Sequence, residues 1–438
     1  MHGNPGTGSI VLSELQKWFL LHEVGNKNIY ILGLLIFSAL LVVLLSKKIR
    51  VPIVVGYVFL GIFLSVNVIE IIPFLSNSTK EWYAFILESM DYIPQIALSF
   101  IAFTIGSELS VSIIKKMGKT IFYVVILQAF AAFILVTSGL LAIGLDLYLS
   151  LIFGAIASAT APAATVMVIR EYNAEGPVTS MIMAVVGIDD ALALILFSLI
   201  NPIAFILYTG EGNLSLYNSL IIPLLEISGS LLTGTLAGYL SQKYIAKIED
   251  KTKKVLTVVA TIVCGTAISL QFHLSPLITN MAVGFAYRNF TRKNLGIGDY
   301  LETLTIPLYA IFFILAGTEI RFGSLASKSF LILAAVYTLA RVIGKVGGSS
   351  LAAYLAGASS NIKKYVGLGL LPQSGVAIAL AYTIQKQYSA TPDIGLLVFN
   401  IILFTSVLTE VFGPLATKYA IFQAGEAREN YREARDNN

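Results

Sequence analysis

Polar residues along this chain are bunched into short breaks, and almost everything between the breaks is apolar. Runs of roughly 17–28 residues with few charges suit a hydrocarbon layer about 30 Å thick, which about 20 helical residues cross. Reading the runs between charged or Gly/Pro/Asn-containing breaks predicts thirteen helical spans. The first seven cover about 29–46, 51–66, 93–109, 120–145, 148–169, 178–206 and 218–242. The other six cover about 255–271, 275–288, 303–318, 329–357, 364–384 and 394–421. Backbone N–H and C=O groups in lipid need internal partners, so apolar runs of this length read as α-helices. The expected fold is an all-α polytopic membrane protein, with residues 1–28 as a segment on one face and 422–438 as a short tail on the other.

Composition agrees with that pattern. Only 12% of the 438 residues are charged and 56% are hydrophobic, against about a quarter charged in an average soluble domain. Cys264 is the lone cysteine, and His2, His22 and His273 are scattered, which excludes a disulfide framework and a Cys/His metal centre. Residues 1–29 hold Glu14, Lys17, His22, Glu23 and Lys27 and no apolar core before a cleavage site, so no cleavable signal peptide is expected.

The placement of charge sets an orientation. With the N-terminus outside, "KKIR" (47–50), "KKMGK" (115–119), Arg170, "SQKYIAKIEDKTKK" (241–254), "YRNFTRKN" (287–294), "NIKK" (361–364), Lys418 and the tail all fall in the cytoplasm. That gathers 21 of the 29 Lys and Arg residues on one side. Such a bias is what the positive-inside rule demands, with the C-terminus cytoplasmic in a cell membrane. Two basic residues belong to neither side. Arg341 and Lys345 lie in the middle of the eleventh span.

Two acids are equally out of place. "VVGIDDALALILFSL" (185–199) carries Asp189 and Asp190 side by side in an apolar run. A carboxylate at the bilayer centre costs about 2.5–3.5 kcal/mol on insertion scales, and such residues mark ion or proton pathways. Adjacent helical residues diverge by about 100°, so one Asp can face an aqueous cavity while the other faces a neighbouring helix. Crowded, half-dehydrated carboxylates of this kind take up protons, and when deprotonated bind a small hard cation through oxygen. Lys345, in "LARVIGKVGGSS" (339–350), is the expected counter-charge of Asp189, with Arg341 one turn away on roughly the same face.

Two spans also carry helix breakers. "SATAPAATVMV" (158–168) puts Pro162 in mid-span with Thr160 and Thr165 beside it, and "GLLPQSGVAIAL" (369–380) does the same with Pro372, Gln373 and Ser374. Proline removes a helical hydrogen bond, and freed backbone at membrane depth survives only inside protein or along a cavity. Paired interruptions in two halves of a chain point to inverted repeats around a midplane site. The fifth and sixth spans are matched seven positions later by the twelfth and thirteenth.

Other chemistries fail on the residues. "KKMGKT" (115–120) lacks the first glycine of a phosphate-binding loop, because Ile113 stands there. "GIGD" (296–299) has the look of an intramembrane aspartyl protease motif, but Asp299 sits in a charged loop and Asp189 and Asp190 share one helix. No enzymatic activity is expected. A channel would need rings or repeated filters, and none is visible.

"SATAPAAT", "GIDDALAL", "RVIGKVGG" and "LLPQSGVAIALA", in this order over about 29–421, resemble the monovalent cation:proton antiporter superfamily. The likeness is to its bacterial sodium/proton antiporters with paired Asp; the potassium efflux antiporters are related. The resemblance implies a sodium/proton antiporter fold with two crossed broken helices. It also implies a homodimer, with a core bundle about 120–206 and 329–421 and a dimerisation part mainly 29–66 and 218–288. It gives cation and proton binding to Asp190, with Asp189 and Thr160 alongside, and pairs Asp189 with Lys345 in an electrogenic cycle. Arg341 joins Lys345 as a coupling charge. Pro162, Thr165, Pro372, Gln373 and Ser374 mark the crossing. Some relatives carry an acid after the Thr, where this chain has Ala161. The ligands so implied are a monovalent cation (Na+, with Li+ possible), the proton and the bilayer; no resident cofactor, nucleic acid or attached nucleotide-binding domain is expected. Potassium/proton exchange and a cation channel stay open as alternatives.

Overall fold

The computed structural model describes residues 32–46, 53–71, 118–209, 221–290, 298–318, 327–388 and 391–427, with most of 80–111. The expected N-terminal segment 1–28 and the end of the tail lie outside the described residues. Those described are helical, with no strand among them.

The elements follow the apolar runs closely. They begin with α1 (Leu32–Ser46), α2 (Ile53–Phe63), α3 (Val66–Ile71), α4 (Tyr92–Glu108) and α5 (Lys119–Ala142). Next come α6 (Leu147–Ala157), α7 (Pro162–Glu171), α8 (Pro177–Thr209), α9 (Ile222–Ile245), α10 (Lys251–Gln271) and α11 (Pro276–Phe290). The chain continues through α12 (Gly298–Thr318), α13 (Lys328–Leu355) and α14 (Ser360–Tyr365), which runs on as a 3-10 turn over Val366–Leu370. It ends with α15 (Gly375–Gln387) and α16 (Pro392–Gln423). Among the described residues α5, α8, α10, α13 and α16 are long and apolar enough to cross a membrane, and the bent pair around Pro372 makes a sixth. Of the remaining expected spans, 218–242 coincides with the 24-residue but less apolar α9 and 303–318 lies within the 21-residue α12, while the others coincide with shorter helices, so the count of thirteen rests on the sequence alone.

The spans holding Pro162 and Pro372 are interrupted where expected, whereas Pro202, Pro307 and Pro414 lie inside continuous helices. The span 148–169 is two helices, α6 and α7, separated by residues 158–161. Pro162 opens α7 at a position where a missing N–H costs nothing. The span 364–384 bends by 45° across residues 371–374.

The chain forms two compact units. One comprises Met1–Gln95 with Ile306–Ile320, the other Ile96–Thr305 with Arg321–Asn438. In the first, α2 and α12 touch at glycines: a Cβ on Gly61 would lie 2.7 Å from Gly317 Cα. The second holds α5–α11 and α13–α16. Its apolar centre includes Val124 of α5, Ile182 and Val185 of α8, and Val366 and Leu370 of the 3-10 turn.

α13 shows how the sequence sorts its faces. Leu339 and Ile343, four apart, are 62% and 60% exposed, as suits a lipid-facing stripe. Arg341 and Lys345, also four apart, are fully buried. Gly344 and Gly348 let α13 lie against α5 backbone to backbone: a Cβ on Gly344 would fall 2.5 Å from Ala132 Cα, and one on Gly348 2.8 Å from Gln128 Cα.

Candidate functional site

The site forms where the two broken spans cross. Ala161 N–H donates to the Pro372 carbonyl at 2.9 Å, joining one interruption directly to the other. Thr165 Oγ1 donates to the Gly369 carbonyl at 2.8 Å. Each interruption leaves carbonyls that no continuing helix can use, and the two cations of α13 take them up. Arg341 donates to Ala157 O at 3.1 Å, Ala159 O at 2.7 Å, Leu371 O at 2.6 Å and Pro372 O at 3.4 Å. It thereby fastens both breaks to one guanidinium. Among the described residues the hydrogen-bond partners of Arg341 are these four carbonyls. Carbonyls at helix C-terminal ends carry enough negative charge to hold a buried cation.

Lys345 is one turn further along. Its three N–H groups meet three acceptors: the Ser158 carbonyl, Thr160 Oγ1 at 2.9 Å and Asp189 Oδ2 at 2.7 Å. Lys345 and Asp189 are both fully buried, and they form an ion pair. The Thr160 hydroxyl accepts from Lys345 and donates to Asp189 Oδ2. Gln128 of α5 donates to the other carboxylate oxygen, Asp189 Oδ1. Asp189 is therefore enclosed by donors from three directions. Asp190 differs: it keeps 8% of its surface, whereas Asp189 keeps none. The helix divergence expected of neighbouring residues separates a fully enclosed acid from a buried one that keeps a small exposed fraction.

The remaining expected site residues split between this cluster and its surroundings. Gln373 is buried, and its Nε2 donates to Ile156 O at 3.0 Å and to the Tyr337 hydroxyl at 2.9 Å. Its backbone N–H donates to Thr409 Oγ1 of α16 at 3.2 Å. Ser374 hydrogen-bonds the side chain of Glu410, a carboxylate only 4% exposed inside α16. Pro372 packs on Gly413, where a Cβ would fall 2.5 Å from Pro372 Cγ. Among the described residues no three His, Cys, Asp or Glu side chains gather as a metal centre.

A family can now be set beside this geometry. The family model described as "Sodium/hydrogen exchanger, transmembrane" matches residues 35–418. The chain belongs to the sodium/hydrogen exchanger family. Within that family it is similar to the Na(+)/H(+) antiporter NhaH of Halobacillus dabanensis, 22% identical over 404 residues that cover 89% of this chain and 96% of that one. It is also similar to the Na(+)/H(+) antiporter ApNhaP of Aphanothece halophytica, 25% identical over 278 residues, 60% of this chain and 51% of that protein. Its fold matches the solved structure of the sodium proton antiporter MjNhaP1 from Methanocaldococcus jannaschii at pH 8, with a TM-score of 0.72 at 19% identity over 91% of this chain and 99% of that one. An exchanger of this family is an antiporter embedded in a membrane, as the apolar spans require.

Sequence reasoning passed over two members of this cluster. Gln128 stands in "VVILQAFAAF" as a lone amide in an apolar run, a weak but legible signal. The Ser158 carbonyl, which holds Lys345, lies in the stretch whose proline signalled freed backbone, but nothing in the sequence says which carbonyl meets the lysine.

Proposed function

We propose that this exchanger is an electrogenic sodium/proton antiporter whose exchangeable ion binds at Asp190. The observation that carries the reading is the buried Lys345–Asp189 pair, 2.7 Å apart, wedged into the crossing of two broken helices beside a second acid, Asp190, that keeps 8% of its surface. Deprotonated Asp190 takes the sodium ion, with Asp189 and oxygens near Thr160 assisting; protonation of Asp190 expels it. Sodium competes with the Lys345 ammonium for Asp189, and the displaced Lys345 gives up a proton. With both groups releasing a proton for each sodium bound, the cycle moves net charge. The bundle carrying the site, expected over about 120–206 and 329–421, then turns the site to the other side, as alternating access requires.

The finer points of setting belong to the same proposal. The chain lies in the cell membrane with its N-terminus outside and C-terminus in the cytoplasm, and works as a homodimer. The charge asymmetry of the loops supports the orientation. The names of the relatives, sodium/proton antiporters all, support sodium.

The test is proton flux in proteoliposomes under an imposed sodium or potassium gradient, with and without a clamped voltage. Sodium-driven flux that responds to voltage is expected, and Asp190→Asn is expected to remove it. Flux driven by potassium alone would move the substrate to potassium. Cation flux without counter-moving protons would make the chain a channel, and full exchange in Asp190→Asn would take Asp190 out of the mechanism.

A further inference from the structure

Gln128 is a poor choice for a stable core. Its side chain is fully buried on α5, between two helices whose backbones touch at Gly348. The amide Nε2 donates twice, to the Val125 carbonyl of its own helix at 3.0 Å and to Asp189 Oδ1. Both partners are acceptors, so the amide cannot be turned around without placing oxygen against oxygen. That orientation leaves Oε1 buried with no hydrogen-bond partner among the described residues. A buried amide oxygen without a donor is destabilising, and a side chain that breaks the rule of polar satisfaction in a packed core is expected at functional sites.

Lys345 and Thr160 both act on Asp189 Oδ2, from α13 and from the break after α6. Among the described residues Gln128 is the hydrogen-bond donor to Oδ1, and without it the carboxylate would be freer to rotate about its Cβ–Cγ bond. The close packing of α5 on α13 at Gly344 and Gly348 is what brings the amide and the ammonium to opposite oxygens of one carboxylate.

We propose that Gln128 is a positioning residue of the exchange: it locks the Asp189 carboxylate in the one rotation that serves Lys345 and the cation by turns. A proton or cation arriving at Asp189 then meets a carboxylate already aimed, and Asp190 remains the acid that trades ions. This inference rests on the antiporter reading above.

Gln128→Met, close in length and without polar atoms, separates the two roles a buried side chain can have. In proteoliposomes the variant is expected to raise the sodium KM at least about tenfold, the effect of losing one hydrogen bond to a charged group, with the maximal rate at saturating sodium within about twofold of the wild type. Thermal unfolding in detergent is expected at a lower temperature, because Asp189 Oδ1 loses its donor. The split between sodium KM and maximal rate, and not stability, therefore separates positioning from packing. An unchanged or lowered sodium KM in Gln128→Met, beside normal wild-type exchange, would overturn this inference and leave the antiporter reading standing. A lower unfolding temperature with KM unchanged would make Gln128 a packing residue only. No sodium-driven exchange in the wild-type protein would sink both together.

Discussion

At the scale of single residues, the site is a problem of matching buried donors to buried acceptors. Lys345 has three N–H groups and finds three acceptors, so its burial is compensated only while Asp189 stays charged. Removing one partner of a buried pair leaves the other stranded, which costs about 3–5 kcal/mol, whereas removing both costs far less. Lys345→Met is therefore expected to lower the unfolding temperature in detergent markedly, and Asp189→Asn combined with Lys345→Met to recover most of the loss. Equal destabilisation of the single and double variants would show that the pair is not the compensating interaction. The pairing was legible beforehand because an ammonium in mid-membrane needs an anion and few were on offer. Arg341 followed the same logic to a different end, since the carbonyls of two interrupted helices supply the negative charge instead. Gln128 was harder to read: a lone amide in an apolar run is satisfied by its own helix as readily as by a distant carboxylate.

At the scale of elements, the helices carrying the site are set by contacts far apart in sequence. The first turn of α8, the helix of both aspartates, has N–H groups that its own chain leaves unused. Glu426, just past α16, supplies the acceptors: its carboxylate receives Val178 N–H at 2.8 Å, Thr179 N–H at 2.7 Å and Thr179 Oγ1 at 2.8 Å. Gly176 makes room, since a Cβ there would lie 2.2 Å from Glu426 Cδ. The Glu426 carbonyl also accepts from Glu175 N–H at 3.0 Å. Glu426→Ala removes a helix cap and is expected to cost about 1–2 kcal/mol, with Glu426→Gln, which keeps an acceptor oxygen, losing less. Stability curves in detergent check this ranking; an alanine variant as stable as the wild type would refute the cap. Helix positions came through well from the apolar runs, with expected 178–206 and 394–421 against observed Pro177–Thr209 and Pro392–Gln423. The breaks at Pro162 and Pro372 came through as well, although proline alone does not decide them: Pro202, Pro307 and Pro414 sit inside continuous helices. The cap did not, because a glutamate after the last span looks like any charge at a membrane surface.

At the scale of the whole molecule, loop charge assigns a side to every segment, and the assignment can be checked with one reporter. Cys264 is exposed and is replaced first by serine. In that background a cysteine at Lys363 is expected to react with a membrane-impermeant maleimide only from the cytoplasm, and one at Lys386 only from outside. Labelling of both from the same side would invalidate the orientation. What the sequence by itself determined about this protein was what depends on one residue or one short run: the membrane class, the helix spans, the proline breaks, and the presence of buried charges that must be paired. Apolar periodicity and the cost of burying charge act locally, so a linear reading captures them. Tertiary structure decided which groups meet: the crossing of Ala161 with Pro372, the carbonyls that hold Arg341, the enclosure of Asp189 by Lys345, Thr160 and Gln128, and the small exposed fraction that Asp190 keeps. Those outcomes depend on interhelical distances set by glycine contacts and on backbone groups released only where two helices stop together, and neither is written at any single position in the chain.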